Sequence, residues 1–270
     1  MDDKISVIMG VYCREADIER SVQSIMNQTL QNLELIVCDD ASEDSTFTIL
    51  QEFQRKYPRK LVLLQNSKNQ GLAFSLNRCL HISKGKYIAR MDADDFCAPE
   101  RLEIQRDFLQ NHSEYSLVGT QMILVDDAGR ESYSHYAENP TKDVLPLKNP
   151  FAHPTILTYR SILLQLGCYT VEEKTRRCED LDLWYRFFSV GLKGYNLSEY
   201  CFTKKQGLEN YKKRTIKQGS DVFLVNLRGL KQIHAPVWKY ALAIKPIISA
   251  IIPKPIMMKY HSLKFKKKVE

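Results

Sequence analysis

The stretch Tyr87-Ile-Ala-Arg-Met-Asp-Ala-Asp-Asp95 joins a short apolar run to three carboxylates, Asp92, Asp94 and Asp95. Apolar residues that stop at an Asp-x-Asp turn indicate a buried strand with acidic side chains at its carboxyl end. Oxygen ligands in such a turn suit Mg²⁺ or Mn²⁺, which need only one or two protein carboxylates when a diphosphate supplies the rest. A solvated acidic turn is the alternative, because short acidic motifs are common.

Strand-like and helix-like segments alternate around this stretch. Strand-like runs cover residues 5–9, 33–38, 61–64 and 87–89, and helical apolar spacing follows each of the first three. Pro99 starts a further helix, since its missing N–H has no partner in a first helical turn. The alternation predicts an α/β fold with a doubly wound, mostly parallel sheet and helices on both faces.

Polar clusters follow three of these strands at the point where each one ends. They are Gly10-Val-Tyr12 after the first strand, Asp39-Asp40 after the second and Asp92-Ala-Asp94 after the fourth. Ligands of such sheets bind at the carboxyl ends of the strands. The sequence therefore predicts that these clusters form one site.

The pattern becomes less regular after residue 115. Residues 116–125 and 155–159 are predicted strands, and the polar, proline-containing residues 130–152 are predicted to form a loop region with weak structure. Residues 179–190 have the apolar spacing of a helix, with Trp184 on the apolar face.

The charge and the cysteine content of the chain limit the class of protein to which it can belong. The chain of 270 residues has a net charge of +7, but residues 203–270 hold 16 basic and 3 acidic residues, so residues 1–202 are net acidic. This asymmetry predicts a polyanionic partner at the tail. The 7 cysteines contain no Cys-x-x-Cys pair and indicate reduced thiols in a cytosolic protein, and the acidic start shows no secretory signal.

Five ordered blocks make the chain resemble family 2 glycosyltransferases, and most of all the bacterial branch that builds O-antigen, capsule or exopolysaccharide. The blocks are Ser6-Val-Ile-Met-Gly-Val-Tyr12, Asp39-Asp-Ala-Ser-Glu-Asp-Ser-Thr46, Asn69-Gln-Gly-Leu72, Ala89-Arg-Met-Asp-Ala-Asp-Asp95 and Glu179-Asp-Leu-Asp-Leu-Trp184. The resemblance spans about residues 4–200. It implies the GT-A fold, with a nucleotide-sugar-binding half (1–115) and an acceptor-binding half (116–202), followed by a basic, helical C-terminal extension (203–270).

The resemblance implies a donor site that holds Mn²⁺ or Mg²⁺. Asp94 is the implied direct metal ligand, and Asp92 supports the ribose or the metal shell. Asp95 is either a further ligand or a cap of the helix that follows. His153 stands where related enzymes often keep a histidine near the diphosphate, although a lone histidine is usually structural.

The same resemblance places the nucleotide. Asp40 matches the acid that accepts a hydrogen bond from the uracil N–H, and Asp39 is expected to be structural. Tyr12 matches an aromatic residue that packs on the base, with a half-buried strand-end tyrosine as the alternative. Gly10 and Val11 let the backbone approach the nucleotide, and Ala93 completes the predicted nucleotide-sugar-binding set.

The sequence defines the roles of the basic residues near these blocks less clearly. Arg14 and Lys68 are within reach of phosphate, but most surface cations do nothing specific. Arg90 lies in a core strand and needs a partner, so it belongs either to a structural ion pair or to the diphosphate site, and we favour the first.

The acid pair Glu179-Asp180 matches the family's base, which takes the proton of the acceptor hydroxyl, and Asp180 is the favoured member. Capping of the helix is the alternative for this pair. Trp184 is expected to form a platform for the acceptor sugar or to lie in the core. The Gln-x-x-Arg-Trp block and membrane spans of processive members are missing, which favours the transfer of a single sugar.

The resemblance implies a UDP-sugar donor, with a UDP-hexose expected, and an acceptor linked to undecaprenyl diphosphate. Two other functions stay open. A sugar-phosphate nucleotidyltransferase would need a glycine-rich loop after the first strand, which residues 10–14 do not form. A non-catalytic sugar- or polyanion-binding module would use the basic tail, but acids at three strand ends repel nucleic acid.

The tail mixes aromatic, aliphatic and lysine residues over 237–268, including Trp238, Met257-Met258 and the lysines of 264–268. Its longest uncharged stretch is far shorter than the roughly 20 residues of a spanning helix. This pattern predicts a peripheral contact with the anionic cytoplasmic face of the inner membrane. A helix packed on the catalytic domain is the alternative.

Overall fold

A computed structural model describes residues 3–205 and 215–252 of the chain. The helices are α1 (Ile18–Met26), α2 (Thr46–Lys56), α3 (Leu72–Ile82), α4 (Arg101–Asn111), α5 (Arg160–Gln165), α6 (Glu179–Ser189), α7 (Ile216–Gln232), α8 (Trp238–Leu242) and α9 (Lys245–Ile251). The strands are β1 (Ile5–Val11), β2 (Leu33–Asp39), β3 (Leu61–Gln65), β4 (Tyr87–Arg90), β5 (Phe96–Cys97), β6 (Leu117–Gly119), β7 (Met122–Val125), β8 (Glu131–Tyr133), β9 (Leu157–Tyr159), β10 (Gly194–Asn196) and β11 (Phe202–Lys205).

Seven strands form the large sheet in the order β10-β6-β9-β4-β1-β2-β3. Every neighbouring pair is parallel except those of β9, which runs antiparallel to β4 and β6. Strands β1, β2 and β4 are buried nearly throughout, as expected of central strands covered on both faces. The predicted mostly parallel α/β sheet is confirmed.

The ends of β1, β2 and β4 meet at one edge of this sheet. Val11 is in register with Asp39, and Ile8 is in register with Arg90. The turns that follow these residues therefore lie side by side, as the sequence predicts.

A second, four-stranded sheet in the order β5-β11-β7-β8 stands beside the large sheet. The strand predicted over residues 116–125 is in fact two strands, because the chain leaves the large sheet at Gly119 and enters the small one at Met122. A Cβ on Gly119 would lie 2.6 Å from Oδ1 of Asn196, so only glycine fits there. The region 130–152, predicted as loop, contributes β8 to this sheet.

The C-terminal helix α7 packs against α6. Gly229 lies directly under the ring of Tyr185, where any side chain would overlap it, and the Tyr185 hydroxyl donates to Oδ1 of Asn226 at 2.9 Å. Helix α7 thus packs on the catalytic domain, but it ends before residues 237–268, to which the two alternatives for the tail apply. The predicted boundary at residue 202 falls at the start of β11, because Phe202–Lys205 pair with β5 and β7.

Helices α8 and α9 follow α7 and leave several apolar side chains in solvent. The most exposed are Val237, Trp238 and Ile251, at 86%, 62% and 66%. Within residues 3–205 and 215–252, no helix has the length and apolar content needed to cross a bilayer. Met257, Met258 and the lysines of 264–268 lie outside the described residues.

Candidate active site

A cleft of about 1040 Å³ opens at the edge where β1, β2 and β4 end. Residues of the small sheet and of the start of α6 also line it. Ten of the residues predicted from the sequence line this cleft: Gly10, Val11, Tyr12, Asp40, Asp92, Ala93, Asp94, His153, Glu179 and Asp180. The fold therefore brings nearly the whole predicted set together.

Asp92, Asp94 and Asp95 form one cluster, in which carboxylate oxygens lie within 4.8 Å of one another. Asp95 is almost fully buried, and its Oδ1 has no hydrogen-bond partner among the residues that the structure describes. A buried carboxylate oxygen without a partner is costly, and a hard cation is a suitable ligand for it. The chemistry of this donor set fits Mg²⁺ or Mn²⁺.

The alternative that Asp95 caps the following helix is wrong. Helix α4 begins at Arg101, its capping residue is Glu100, and no side chain caps its N-terminus. Burial instead raises the pKa of Asp95 to about 7, against the opposing influence of Lys204.

Arg90 forms the ion pair that the sequence analysis favoured. Its guanidinium contacts Oδ1 of Asp92 at 2.5 Å, and the side chain is 3% exposed. Although burial opposes ionisation, Arg90 and Lys204 hold the pKa of Asp92 well below its usual range. The Nε and Nη1 groups of Arg90 are buried without a partner in the described part of the chain, so the ion pair satisfies only part of the guanidinium.

Lys204, on β11, is a site residue that the sequence analysis did not single out. Its Nζ donates to Asp92 at 3.1 Å and to Asp95 at 3.2 Å. Burial works against the charge of this ammonium, but Asp92 and Asp95 raise the pKa of Lys204 above its usual value. Pairing of β5 with β11 puts Lys204 there, and no local sequence signal reports that pairing.

Asp40 lines the cleft, but its carboxylate also shapes the loop before α3. It accepts hydrogen bonds from Nδ2 of Asn66 at 2.6 Å and from the backbone N–H groups of Gln70 and Gly71, each at 2.8 Å. Gly71 has φ +92°, a conformation that favours glycine. Tyr12 is 42% exposed beside this loop, with its ring available to a ligand.

Two neighbouring predictions have structural explanations. Asp39 is fully buried and its Oδ2 accepts from the N–H of Ser42 at 3.1 Å, so it caps the turn as expected. A Cβ on Gly10 would lie 2.9 Å from Cδ1 of Leu72, so close packing of β1 on α3 favours a small residue here, and Leu72 would have to shift for a larger one.

The remaining predicted cations differ in position. Arg14 reaches the carboxylate cluster, with its Nε 3.4 Å from Oδ2 of Asp94. Lys68 is exposed and does not line the cleft.

Glu179 and Asp180 begin α6 and line the cleft. Burial raises the pKa of Asp180, and it raises the pKa of Glu179 to about 7, with the charge of Asp180 adding to the effect. Oδ2 of Asp180 accepts from Nδ2 of Asn149 at 2.7 Å. Asn149 was not predicted, since it lies in a loop without a recognisable motif.

His153 lines the cleft but does not belong to the carboxylate cluster. Its Nε2 lies 2.9 Å from the hydroxyl of Tyr169. Burial lowers the pKa of His153 well below its usual value, and the charge of Arg90 acts in the same direction.

Trp184 does not reach the cleft. The side chain is fully buried, and its ring packs edge-on against Phe151 at a centroid distance of 5.2 Å. It has no surface on which a sugar could pack, so the prediction of an acceptor platform is corrected to the core alternative. The apolar face of α6 points into the protein and not into the cleft.

Comparisons with known proteins agree with this geometry. Residues 6–167 match the family model described as Glycosyl transferase family 2. The chain is 38% identical to the putative glycosyltransferase EpsE of Bacillus subtilis (strain 168), over 96% of this chain and 93% of that protein. It is 35% identical to the O-antigen biosynthesis glycosyltransferase WbnJ of Escherichia coli, over 73% and 77% of the two chains.

A further relative and a solved structure carry information on ligands. The chain is 27% identical to the UDP-Glc:alpha-D-GlcNAc-diphosphoundecaprenol beta-1,3-glucosyltransferase WfaP of Escherichia coli, over 71% of this chain and 73% of that protein. The fold is similar to that of S. aureus TarS 1-349 in complex with UDP-GlcNAc, with a TM-score of 0.66 and 20% identity over 90% of this chain and 70% of that one.

Proposed function

The chain belongs to glycosyl transferase family 2, and from this premise we propose that it moves a single sugar from a UDP-sugar to a lipid-linked oligosaccharide. It is a glycosyltransferase, so the nucleotidyltransferase and the non-catalytic binding module are set aside. The product would enter an O-antigen, capsule or exopolysaccharide. The observation that carries the proposal is that the carboxylate cluster and the acids Glu179 and Asp180 belong to one cleft.

The donor half of the proposal rests on the edge of the large sheet. Tyr12 would pack on the base, and Asp40 would accept from the uracil N–H with the lone pair that its loop contacts leave on Oδ2. Gly10, Val11 and Ala93 line the same wall. UDP is the favoured nucleotide because TarS was solved with UDP-GlcNAc and the name of WfaP specifies UDP-Glc.

Asp94, supported by Asp92 and Asp95, would hold Mn²⁺ or Mg²⁺. Such an ion neutralises the charge that develops on the departing diphosphate. Arg14 and Arg90 add positive charge beside the same carboxylates. The remaining task of the protein is to place an acceptor hydroxyl opposite the donor and to take its proton.

Asp180 is the proposed base. It lines the same cleft as the carboxylate cluster, and inversion requires a base that serves an acceptor on the side away from the leaving phosphate. The hydrogen bond from Asn149 fixes the carboxylate, and burial raises its pKa and so strengthens it as a base. Glu179 lies beside it and is the second candidate.

The acceptor half of the proposal rests on the relatives. WfaP acts on a sugar linked to diphosphoundecaprenol, and WbnJ belongs to O-antigen biosynthesis. A lipid-linked acceptor places the enzyme at a membrane surface, and we propose the cytoplasmic face. The exposed side chains of α8 and α9 would make this contact, together with the basic charge of residues 203–270.

A release assay tests the proposed activity. The protein is incubated with a panel of UDP-sugars and Mn²⁺, with EDTA as the control, and free UDP is measured. We expect slow, metal-dependent hydrolysis of one donor even without an acceptor. Release from no donor, together with no calorimetric binding of UDP, would contradict the proposal.

Substitution of the exposed tail residues tests the membrane contact. We expect the double change Trp238→Glu and Ile251→Glu to lower partition onto phosphatidylglycerol-containing vesicles by about tenfold or more, since each apolar side chain contributes about 1.5–3 kcal/mol when buried. Val190→Glu is the control. Val190 is an exposed apolar residue (53%) at the end of α6, outside α8 and α9. Equal co-sedimentation of both variants would show that α8 and α9 do not bind lipid.

A further inference from the structure

The charges around the carboxylate cluster balance before any metal is added. Asp92, Asp94 and Asp95 carry at most three negative charges, and the cations that contact them within residues 3–205 and 215–252 are Arg14, Arg90 and Lys204. Free divalent cations are drawn to sites with excess negative charge. The protein alone does not offer such an excess here.

Lys204 occupies the position between Asp92 and Asp95. Its Nζ lies 3.1 Å from one carboxylate and 3.2 Å from the other, so an ion that bridges these two carboxylates must displace the ammonium. Asp94 is different, since its ion-pair contact is with Arg14 at 3.4 Å and its side chain is 30% exposed. One carboxylate is therefore open to the cleft, while the other two are already bridged.

We propose that Lys204 is a resident counter-cation that makes divalent-metal binding depend on the diphosphate of the nucleotide. This inference rests on the proposed donor site. When the diphosphate enters, it adds negative charge that Lys204 does not balance, and the site becomes selective for a divalent ion. Metal and nucleotide then bind together and leave together, so the free enzyme does not retain metal. Lys204 acts through the carboxylates and is a charge-balancing residue.

The neighbouring residue on β11 provides a matched control. Lys205 pairs with Asp17 at 3.2 Å, and its side chain is 56% exposed. Lys205→Met therefore removes a lysine of the same strand without touching the carboxylate cluster. Lys204→Arg keeps the positive charge, whereas Lys204→Met removes it.

Calorimetric titration with Mn²⁺, with and without UDP, tests the inference. In the wild-type protein we expect Mn²⁺ to bind at least about tenfold more weakly without UDP than with it. Lys204→Met should bind Mn²⁺ without UDP about tenfold more tightly than the wild type does. Lys204→Arg and Lys205→Met should behave like the wild type.

Two results would overturn the inference. One is a wild-type protein that binds Mn²⁺ equally well with and without UDP, which needs no variant to establish. The other is a folded Lys204→Met protein, checked by thermal melting, whose UDP-free affinity for Mn²⁺ is unchanged. Failure of the proposed function would give a different result, because UDP would then bind neither with nor without Mn²⁺. The titrations of Mn²⁺ without UDP would still test the role of Lys204.

Discussion

Replacing Asp180 by asparagine should lower the turnover number by about 10²–10⁴, the range expected when a positioned base is lost. Asparagine has nearly the same shape, and its Oδ1 can still accept the hydrogen bond from the N–H of Leu181 that Asp180 accepts at 2.8 Å. The amide cannot take a proton from the acceptor hydroxyl. Calorimetry should therefore give an unchanged dissociation constant for UDP while the transfer rate collapses.

Glu179→Gln is the control for this experiment, because the two acids are adjacent at the start of α6 and both line the cleft. If Asp180→Asn stays active and Glu179→Gln is dead, Glu179 is the base. The pH profile would agree, since the pKa of Glu179 is raised to about 7 and a base with that pKa is protonated, and inactive, as the pH falls below it.

The second large effect is expected at Asp94. Asp94→Ala should weaken Mn²⁺-dependent binding of UDP by about 100-fold or more, since loss of a direct ligand removes several kcal/mol of metal-mediated interaction. Titration of UDP in the presence of Mn²⁺ and then of EDTA measures the metal-dependent part directly. In EDTA the variant and the wild type should bind UDP alike.

Asp107→Ala is a suitable control, because Asp107 pairs with Arg106 on α4 and does not line the cleft. Unchanged Mn²⁺-dependent binding in Asp94→Ala would move the metal to Asp92 and Asp95. In that case Lys204 would have to leave its position for any ion to bind.

The sequence predicts the position of the site well, for a physical reason. Parallel strands place their carboxyl ends at one edge, so polar residues that follow β1, β2 and β4 must come together, and they do. Local patterns also identify α6 and its two acids within one residue of the observed helix. These features depend on short-range periodicity and on one rule of topology.

Predictions that depend on long-range pairing could not be made. Lys204 contacts Asp95, which lies 109 residues away in the sequence. The pairing of β5 with β11 brings the two residues together, and the sequence of neither strand predicts that pairing. Trp184 shows the same limit, since helical spacing identifies an apolar face but not what that face contacts. Only the packing of Phe151 on Trp184 decides that it belongs to the core.

The contact between Tyr185 and Gly229 connects the helix that carries the proposed base to the helix that precedes α8 and α9. Asp180 and Tyr185 lie on the same helix, about 7.5 Å apart along its axis, and Tyr185 is locked onto α7. The exposed residues of α8 and α9 follow directly from α7. If these residues rest on lipid, the depth at which they sit sets the height of the proposed base above the headgroups, and with it the length of the saccharide stem that can present its end to Asp180.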